Sequence, residues 1–444
     1  MRSLIVRPTS AILRYQGSSA DPQSAADELA VDAVVDGSFQ RSGDKLRVTV
    51  QLVSREDGRP LWGAKIDTSL EDVFRMQDEV SRCIAAALHV QLSPAEDRRL
   101  AGAARPAPAG DAYALYMGGK RQLYRGTLAG VNAAIEQFER ARDADPTFAL
   151  AWAGLGDAYT RMAFEHAPEG NWRTRALEMC ERALAIDPAL PEGRYLRGRL
   201  RWNPQDGFDH AKAIQDAAAA IAAKPSLNEA RYLLGLVLFH VGMLDESERA
   251  FARWLATDPG DLYAKIHVGT VRLHQGRFDE ARAIADEAAR EAPGPWVLCV
   301  LGHAQVRSGR LEDAARTAER LARESPDYSE VHSLAGLIAA YRGDVAGARR
   351  GIELTSANPR AYGHYHHAQY DISCIHAVLG EADRALEWLD AAAHNGYPCR
   401  PYFECDPMLA SLRATAGFQQ LMGDIETECG AYRRLYATLP ADLV

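Results

Sequence analysis

Residues 232–259 read YLLGLVLFHVGMLDESERAFARWLATDP, and this stretch predicts two helices joined by a tight turn. Apolar residues recur three and four positions apart on both sides of Gly242, which is the spacing of one helix face. Gly242 stands at the predicted turn, because glycine accepts the positive φ that often ends a helix. Pro259 closes the stretch, since proline cannot continue a helix. The stretch therefore predicts a helical hairpin.

The hairpin recurs along the chain, and a proline marks the end of each copy. Successive prolines are separated by 42, 37, 34, 34, 33 and 33 residues, and an insertion, FEHAPEGN, explains the longest gap. A period near 34 residues resembles the tetratricopeptide repeat (TPR), a helix–turn–helix unit. The prolines are Pro146, Pro188, Pro225, Pro259, Pro293, Pro326 and Pro359.

The resemblance implies a mainly α fold, a TPR α-solenoid in which about eight hairpins stack over residues 111–396. One hairpin cannot bury its own apolar face, so its neighbours must cover it. Residues 397–444 would then form capping helices that shield the last apolar face. The alternative is an Ala-rich helical bundle, but a bundle has no reason to keep a fixed period.

Residues 1–95 have a different pattern and predict a small α+β domain. The stretch LRVTVQLVS, residues 46–54, alternates apolar and polar side chains as a half-buried strand does. Turn signals flank this strand, so residues 34–66 predict an antiparallel meander, and a helix follows. Residues 96–110, rich in Ala, Pro and Gly, predict a linker.

The front domain resembles the TolB-like amino-terminal domain of bacterial TPR proteins. The stretches that carry the resemblance are LIVRPTSAILRYQG, ELAVDAVVDGSFQRSGDKLRVTVQL, GRPLWGAKID and EDVFRMQDEVS. In that family the domain usually lies between a TPR array and an effector, such as a winged-helix DNA-binding domain, a Ser/Thr kinase or a nucleotide cyclase. The family's domain opens with a further strand and helix, which would precede Met1 here. We therefore expect a truncated domain, from a fragment or a late start codon, whose exposed sheet edge favours self-association.

Charge and composition exclude several classes of protein. The net charge of −9 is the wrong sign for direct binding to nucleic acid. No apolar run approaches the roughly 18–20 residues that a transmembrane helix needs. Seven widely spaced cysteines in a large chain are typical of reduced thiols, so we expect a cytoplasmic protein.

The sequence contains no catalytic signature that we recognise. Phosphate-binding glycine loops, the nucleophile-elbow motif, the H-E-x-x-H motif and the protein-kinase set are all missing. We therefore predict a protein that is not an enzyme and needs no cofactor.

One group of residues could still hold a metal ion. His364, His366, His367, Cys374 and His376 lie close in sequence, and imidazole and thiolate are ligands for zinc or copper. However, His367 and Cys374 would lie about 10 Å apart along a helix. The alternative is that these side chains line a groove or a helix edge without metal. The sequence therefore predicts no metal site.

The first helix of each TPR hairpin usually lines a concave groove, and aligning the hairpins by their glycines predicts the groove residues. Aromatic residues and Arg are the types that dominate protein interfaces, and an extended peptide or a helix is the expected ligand. The alternative is that several of these side chains pack against neighbouring helices. The predicted residues are Tyr232, Phe239, His240, Tyr263, His274, Trp296, His303, Arg307, Tyr341, His367 and Tyr370.

Three functions remain open. The first is an interaction module that binds a protein or peptide and forms the sensory or scaffold part of a bacterial regulator. The second is a fragment of a winged-helix transcriptional regulator that lacks its DNA-binding effector. The third, a hydrolase or metalloenzyme, depends on the histidine cluster alone.

Overall fold

The computed structural model describes residues 6–7, 9–12, 15, 21–42, 45–69, 73–87, 108–109, 111–167, 170–328, 330–357 and 364–440. The predicted linker, residues 96–110, lies outside this set except for residues 108 and 109. The chain forms two compact units, Met1–Pro188 and Ala189–Val444. The break between the units falls inside the predicted repeat array, so the predicted domain boundaries stay predictions.

The first unit contains a three-stranded antiparallel sheet in the order β1-β2-β3, preceded by two short helices. Its register pairs Val35 with Leu52 and Leu52 with Trp62, and alternation along β2 buries Val50 and Leu52. The predicted meander is therefore confirmed. The elements are α1 (Thr9–Ile12), α2 (Pro22–Glu28), β1 (Ala33–Ser42), β2 (Lys45–Ser54), β3 (Pro60–Ser69) and α3 (Val73–Ala87).

The first unit continues with two helix pairs, repeats 1 and 2. Phe138 fills their crossing point, where a Cβ on Gly119 or on Gly154 would lie 2.5 Å or 2.7 Å from its ring. The insertion FEHAPEGN follows the first helix of repeat 2 and begins within a π-helical turn, Met162–His166. The helices are α4 (Ala112–Leu123) and α5 (Leu128–Ala144) in repeat 1, and α6 (Ala149–Arg161) and α7 (Trp172–Ile186) in repeat 2.

The second unit holds repeats 3 to 8, which are six further helix pairs. The predicted positive φ at the turn of repeat 4 is present, with φ 72° at Gly242, and Gly276 repeats it in repeat 5 with 76°. The mainly helical repeat fold is therefore confirmed. The helices, in pairs, are α8 (Pro191–Arg201) and α9 (His210–Ala223), α10 (Asn228–His240) and α11 (Leu244–Thr257), α12 (Leu262–His274) and α13 (Phe278–Glu291), α14 (Pro295–Arg307) and α15 (Leu311–Glu324), α16 (Val331–Tyr341) and α17 (Val345–Ser356), and α18 (Tyr365–Val378) and α19 (Ala382–His394).

Residues 397–440, which we call the closing segment, end the second unit. They contain α20 (Arg400–Cys405), a 3-10 turn (Pro407–Leu409) and α21 (Ala416–Ala437). Helix α21 contacts α19 of the last repeat, as a cap would, and it also contacts α9 of repeat 3. Helix α20 contacts α12 of repeat 5. The segment therefore covers more of the array than its last apolar face.

The closing segment lies on the first helices of several repeats. Tyr397 contacts Phe239 of α10, with ring centroids 6.0 Å apart, and Cys405 Sγ lies 3.5 Å from the carbonyl oxygen of His274 in α12. Asp406 contacts Arg307 of α14 and Tyr370 of α18. We call this surface, formed by α10, α12, α14 and α18, the inner face. In the described residues, no helix combines the length and apolarity that crossing a membrane requires.

Candidate functional site

A cavity of about 350 Å³ opens on the inner face beside the closing segment. Helices α10 and α12 of neighbouring repeats provide most of its wall, and α14 and α18 provide much of the rest. Its volume lies in the range of small-ligand pockets. The side chains that line the cavity include Tyr232, Tyr263, His267, Trp296, Tyr328 and Glu330.

Aromatic rings from three successive repeats form one side of this cavity. Tyr232 of repeat 4 and Tyr263 of repeat 5 have ring centroids 5.5 Å apart, and their hydroxyl oxygens are 3.2 Å apart. His267 lies one helical turn after Tyr263, and the two rings are 4.4 Å apart. The His267 ring also faces Trp296 of repeat 6, at 6.3 Å. The stacking of hairpins thus brings rings from repeats 4, 5 and 6 into one row.

Burial keeps these groups uncharged at neutral pH. It raises the pKa of Tyr328 and Tyr232 well above the usual range for tyrosine. It lowers the pKa of His267 to about 4. Glu330 lines the same cavity and brings a carboxyl group to these rings. The site therefore combines ring faces with an acidic group, which are the two features that attract a cation.

Six of the predicted groove residues lie around this cavity. They come from four different repeats, and stacking brings them together over more than 130 positions of the sequence. They are Tyr232, Phe239, His240, Tyr263, Trp296 and His367.

Three other predicted groove residues contact the closing segment, and a fourth, His303, contacts one of them. Arg307 Nε donates to Asp406 Oδ2 at 2.8 Å, and the Tyr370 hydroxyl donates to the same oxygen at 2.6 Å. The His274 ring lies 3.9 Å from that of Tyr402, and His303 Nδ1 lies 3.0 Å from Arg307 Nη1. These side chains contact the protein's own chain, so their contact with a partner stays a prediction.

Tyr341, the remaining predicted groove residue, is half-buried. Burial raises the pKa of its phenol to about 12, with a further contribution from Asp406. A role for Tyr341 in partner binding also stays a prediction.

Several residues of this region do not stand out in the sequence. His267 shares a helix face with Tyr263, and this four-residue spacing is a signal that could have found it. Tyr328 and Glu330 precede α16, outside the helix positions that the repeat pattern aligns. The closing residues are rich in rings and prolines, in NGYPCRPYFECDP, which is unusual for a polar-faced cap.

The histidine cluster has a different membership from the one considered from sequence. His240 of α10 joins His364, His366 and His367, and one nitrogen of each imidazole lies within 4.8 Å of all the others. Cys374 is fully buried elsewhere on α18, where burial raises the pKa of its thiol. His376 Nδ1 lies 2.6 Å from the Glu381 carboxylate instead. Cys374 and His376 therefore lie in environments separate from the four converging histidines.

Comparison with known families agrees with the helix pairs. Models of the tetratricopeptide repeat match residues 209–261, 242–294 and 272–338. Tetratricopeptide repeats are confirmed there. The matches run from the second helix of repeat 3 into the first helix of repeat 7. The resemblance of the front domain to TolB-like domains stays a prediction.

Among curated proteins, the chain is similar to "Putative adenylate cyclase 3" of Rhizobium meliloti (strain 1021). The two are 31% identical over 202 residues, which are 44% of this chain and 34% of that protein. The chain therefore matches about a third of the length of this relative.

Several solved TPR structures are similar to this chain at low identity. A TPR protein of Parabacteroides merdae ATCC 43184 is 17% identical with a TM-score of 0.39, and the match covers 68% of this chain and 99% of that one. A thermophilic TPR protein of Thermus thermophilus is 22% identical with a TM-score of 0.34, covering 41% and 92%. YrrB, described as a TPR protein with an unusual peptide-binding site, is 21% identical with a TM-score of 0.30, covering 42% and 89%.

Proposed function

We propose that this chain is a non-catalytic interaction module that binds a segment of a partner protein at the aromatic cavity. The observation that supports this most is the row of rings contributed by repeats 4, 5 and 6 beside Glu330. Buried aromatic anchors carry most of the energy in protein interfaces. Tyr263 is 49% exposed, so an incoming side chain can reach the row from solvent.

The cavity favours a partner segment that presents one anchoring side chain. The closing segment occupies the part of the inner face around Arg307, His274 and Tyr370. A long extended peptide therefore has less of the inner face to lie on than the repeat count alone indicates. A Lys or Arg side chain fits the remaining cavity, because its cation would meet ring faces and the Glu330 carboxyl group.

We place the module in a bacterial signalling or transcription-control system, in the cytoplasm. The similarity to a relative named as an adenylate cyclase and the resemblance to TolB-like domains both support a regulatory role. The second candidate is a fragment of a winged-helix transcriptional regulator, which only the family resemblance favours. In either case this chain's net charge of −9 opposes direct contact with nucleic acid.

The test is peptide selection on the purified chain, followed by calorimetric titration of the best peptides. We expect selected peptides to carry a basic anchor and to lose at least about tenfold in affinity with Tyr263→Ala. Glu330→Gln should weaken the same peptides. Val345→Ala is the matched control, because Val345 is also 49% exposed and lies outside the cavity. Peptides that bind all these variants equally would contradict the proposal.

The absence of catalysis is tested separately. The chain is incubated with ATP and Mg²⁺, because the relative is named as an adenylate cyclase. We expect no cyclic AMP. Formation of cyclic AMP that scales with protein concentration would overturn the non-catalytic assignment.

A further inference from the structure

Four imidazoles converge where repeat 4 meets the start of repeat 8. The ring of His240 lies 5.3 Å, 5.1 Å and 5.0 Å from those of His364, His366 and His367. His364 is the N-cap of α18 and has φ −131°, so its backbone is not helical and its side chain does not follow the helical spacing. This non-helical residue allows three histidines that are nearly adjacent in sequence to approach one point.

Hydrogen bonds orient two of these rings as metal ligands are oriented. His240 Nδ1 lies 2.7 Å from the carbonyl oxygen of Leu236, and His366 Nδ1 lies 2.8 Å from that of Asn395. A carbonyl only accepts, so each Nδ1 carries the proton and each Nε2 keeps its lone pair. A backbone carbonyl on the second nitrogen is the usual outer partner of a metal-bound histidine.

One nitrogen atom of the cluster is buried without a hydrogen-bond partner among the described residues. This atom is His240 Nε2, and His240 as a whole is 1% exposed. A buried acceptor left unsatisfied costs about 1–3 kcal/mol. His366 Nε2 lies 3.3 Å from His364 Nδ1, which is hydrogen-bond distance, so a metal ion would take the place of the proton between these two nitrogen atoms. Two ligands of a tetrahedral zinc ion, each about 2.0–2.1 Å from the metal, lie about that far apart.

Burial also holds the four imidazoles in the state that binds metal. It lowers the pKa of His364 to about 4, with a contribution from Arg199. It lowers the pKa of His240, His366 and His367 well below the usual range, and the neighbouring imidazoles add to the effect. Metal ligation requires neutral imidazole, so no proton has to leave at pH 7.

We propose that His240, His364, His366 and His367 form a zinc site. The donor set is nitrogen alone, which suits Zn²⁺ and excludes ions such as Ca²⁺ and Mg²⁺ that prefer oxygen. The four nitrogen atoms lie within 4.8 Å of one another, whereas two nitrogen ligands of a tetrahedral zinc ion lie about 3.3 Å apart. Zinc binding would therefore draw the outermost rings together by up to about 1.5 Å. His364 and His367 are only half-buried and have room for this adjustment.

The aromatic cavity provides a path for the ion. His240, His364 and His367 line the cavity as well as the cluster. An ion could therefore enter without opening the helix pairs. The zinc site depends on the contacts of the four imidazoles and not on the binding of a partner in the cavity.

The experiment is calorimetric titration of the chelator-treated full chain with Zn²⁺, combined with elemental analysis after gel filtration. We expect one equivalent of zinc and a thermal unfolding midpoint that rises with zinc and falls again with chelator. The double variant His364→Gln/His367→Gln replaces the two half-buried members and should lose at least about 100-fold in zinc affinity. Circular dichroism checks that this variant keeps its helices.

His394→Gln is the matched control, because His394 lies in the same unit and its side chain is 71% exposed. It should bind zinc as the unaltered chain does. The proposal is overturned if the unaltered chain retains less than one equivalent, or if the double variant binds zinc as tightly as the control. Either result would mean an adventitious ion only.

Discussion

Single histidine residues in the first helices share one local arrangement. His267 Nδ1 lies 2.7 Å from the carbonyl oxygen of Tyr263, and His274 Nδ1 lies 2.7 Å from that of Thr270. In each case the ring returns to the carbonyl four residues earlier in its own helix. The bond satisfies one nitrogen in a buried place, and it fixes the direction of the ring. These imidazoles therefore act as packed, neutral side chains at pH 7.

The depressed pKa of His267 predicts how acid affects stability. The pKa is about 4 in the folded protein and 6.5 in the unfolded chain, so the unfolded chain binds more protons between those values. The stability tied to this group is fully present above pH 6.5 and is lost as pH falls toward 4. By linkage the loss is up to about 3 kcal/mol.

His267→Gln removes this titration and should make the acid-dependent loss of stability smaller by up to about 3 kcal/mol. Urea unfolding at several pH values between 4 and 7, with a chelator present, measures the change. His394→Gln, at an exposed position, should follow the unaltered chain. Parallel pH profiles for His267→Gln and the unaltered chain would contradict the burial argument.

The helix pairs depend on close crossings at glycine. A Cβ on Gly235 would lie 2.8 Å from Phe251 of the facing helix, and a Cβ on Gly302 would lie 2.6 Å from Leu334 in the first helix of the next repeat. Real Cβ atoms do not approach neighbours so closely, so a larger residue would push the two helices apart. Phe251 is 1% exposed and has no space to move into. Helix packing therefore explains why the repeat keeps a glycine at this position.

Gly235→Ala should destabilise the second unit by about 1–3 kcal/mol, because it overpacks a filled crossing. Gly294→Ala is the control, since a Cβ there meets nothing within 4 Å and the backbone has φ −77°. The control should lose less than about 1 kcal/mol, because Gly294 is the N-cap of its helix and alanine caps a helix slightly less well than glycine. Thermal and urea unfolding, followed by helical circular dichroism, compare the two. Equal stability of both variants would remove the crossing explanation.

The helices could be predicted from sequence because their determinants are local. The glycine at the turn, the apolar spacing and the closing proline all lie within 28 residues in the stretch around Gly242. The contacts of the closing segment are not local, and nothing in the repeat pattern encodes that Asp406 meets Arg307. The same holds for the histidine cluster, where three members are close in sequence but His240 comes from another repeat. Local periodicity therefore predicts the elements, and long-range packing decides the site.

At the scale of the whole second unit, one ion pair joins repeat 6 to the closing segment. The side chains of Arg307 and Asp406 are both 0% exposed, and they are 99 positions apart in sequence. The Tyr370 hydroxyl and the backbone N–H of Met408 also donate to Asp406. The pair therefore ties three separate parts of the unit together.

Asp406→Leu should destabilise the second unit by about 3–5 kcal/mol, because it leaves the Arg307 guanidinium buried without a carboxylate. The double variant Arg307→Met/Asp406→Leu should recover much of that loss. Arg349→Ala, which breaks an exposed pair with Glu381, should cost less than about 1 kcal/mol. Urea unfolding of the three variants measures these differences. A double variant that is no more stable than Asp406→Leu would show that the charge pair is not the cause.

The position of the closing segment has a consequence for how the protein is made. Domains generally fold from the amino terminus as synthesis proceeds, and the first helices of repeats 4 to 6 leave the ribosome well before Tyr402 and Asp406. During that interval Arg307 lacks the carboxylate of Asp406, and His274 lacks the ring of Tyr402. The hairpins can stack as they emerge, but the closing segment must be present before the inner face makes all its contacts. Emergence of that segment from the ribosome is thus the step that allows the second unit to reach its final fold.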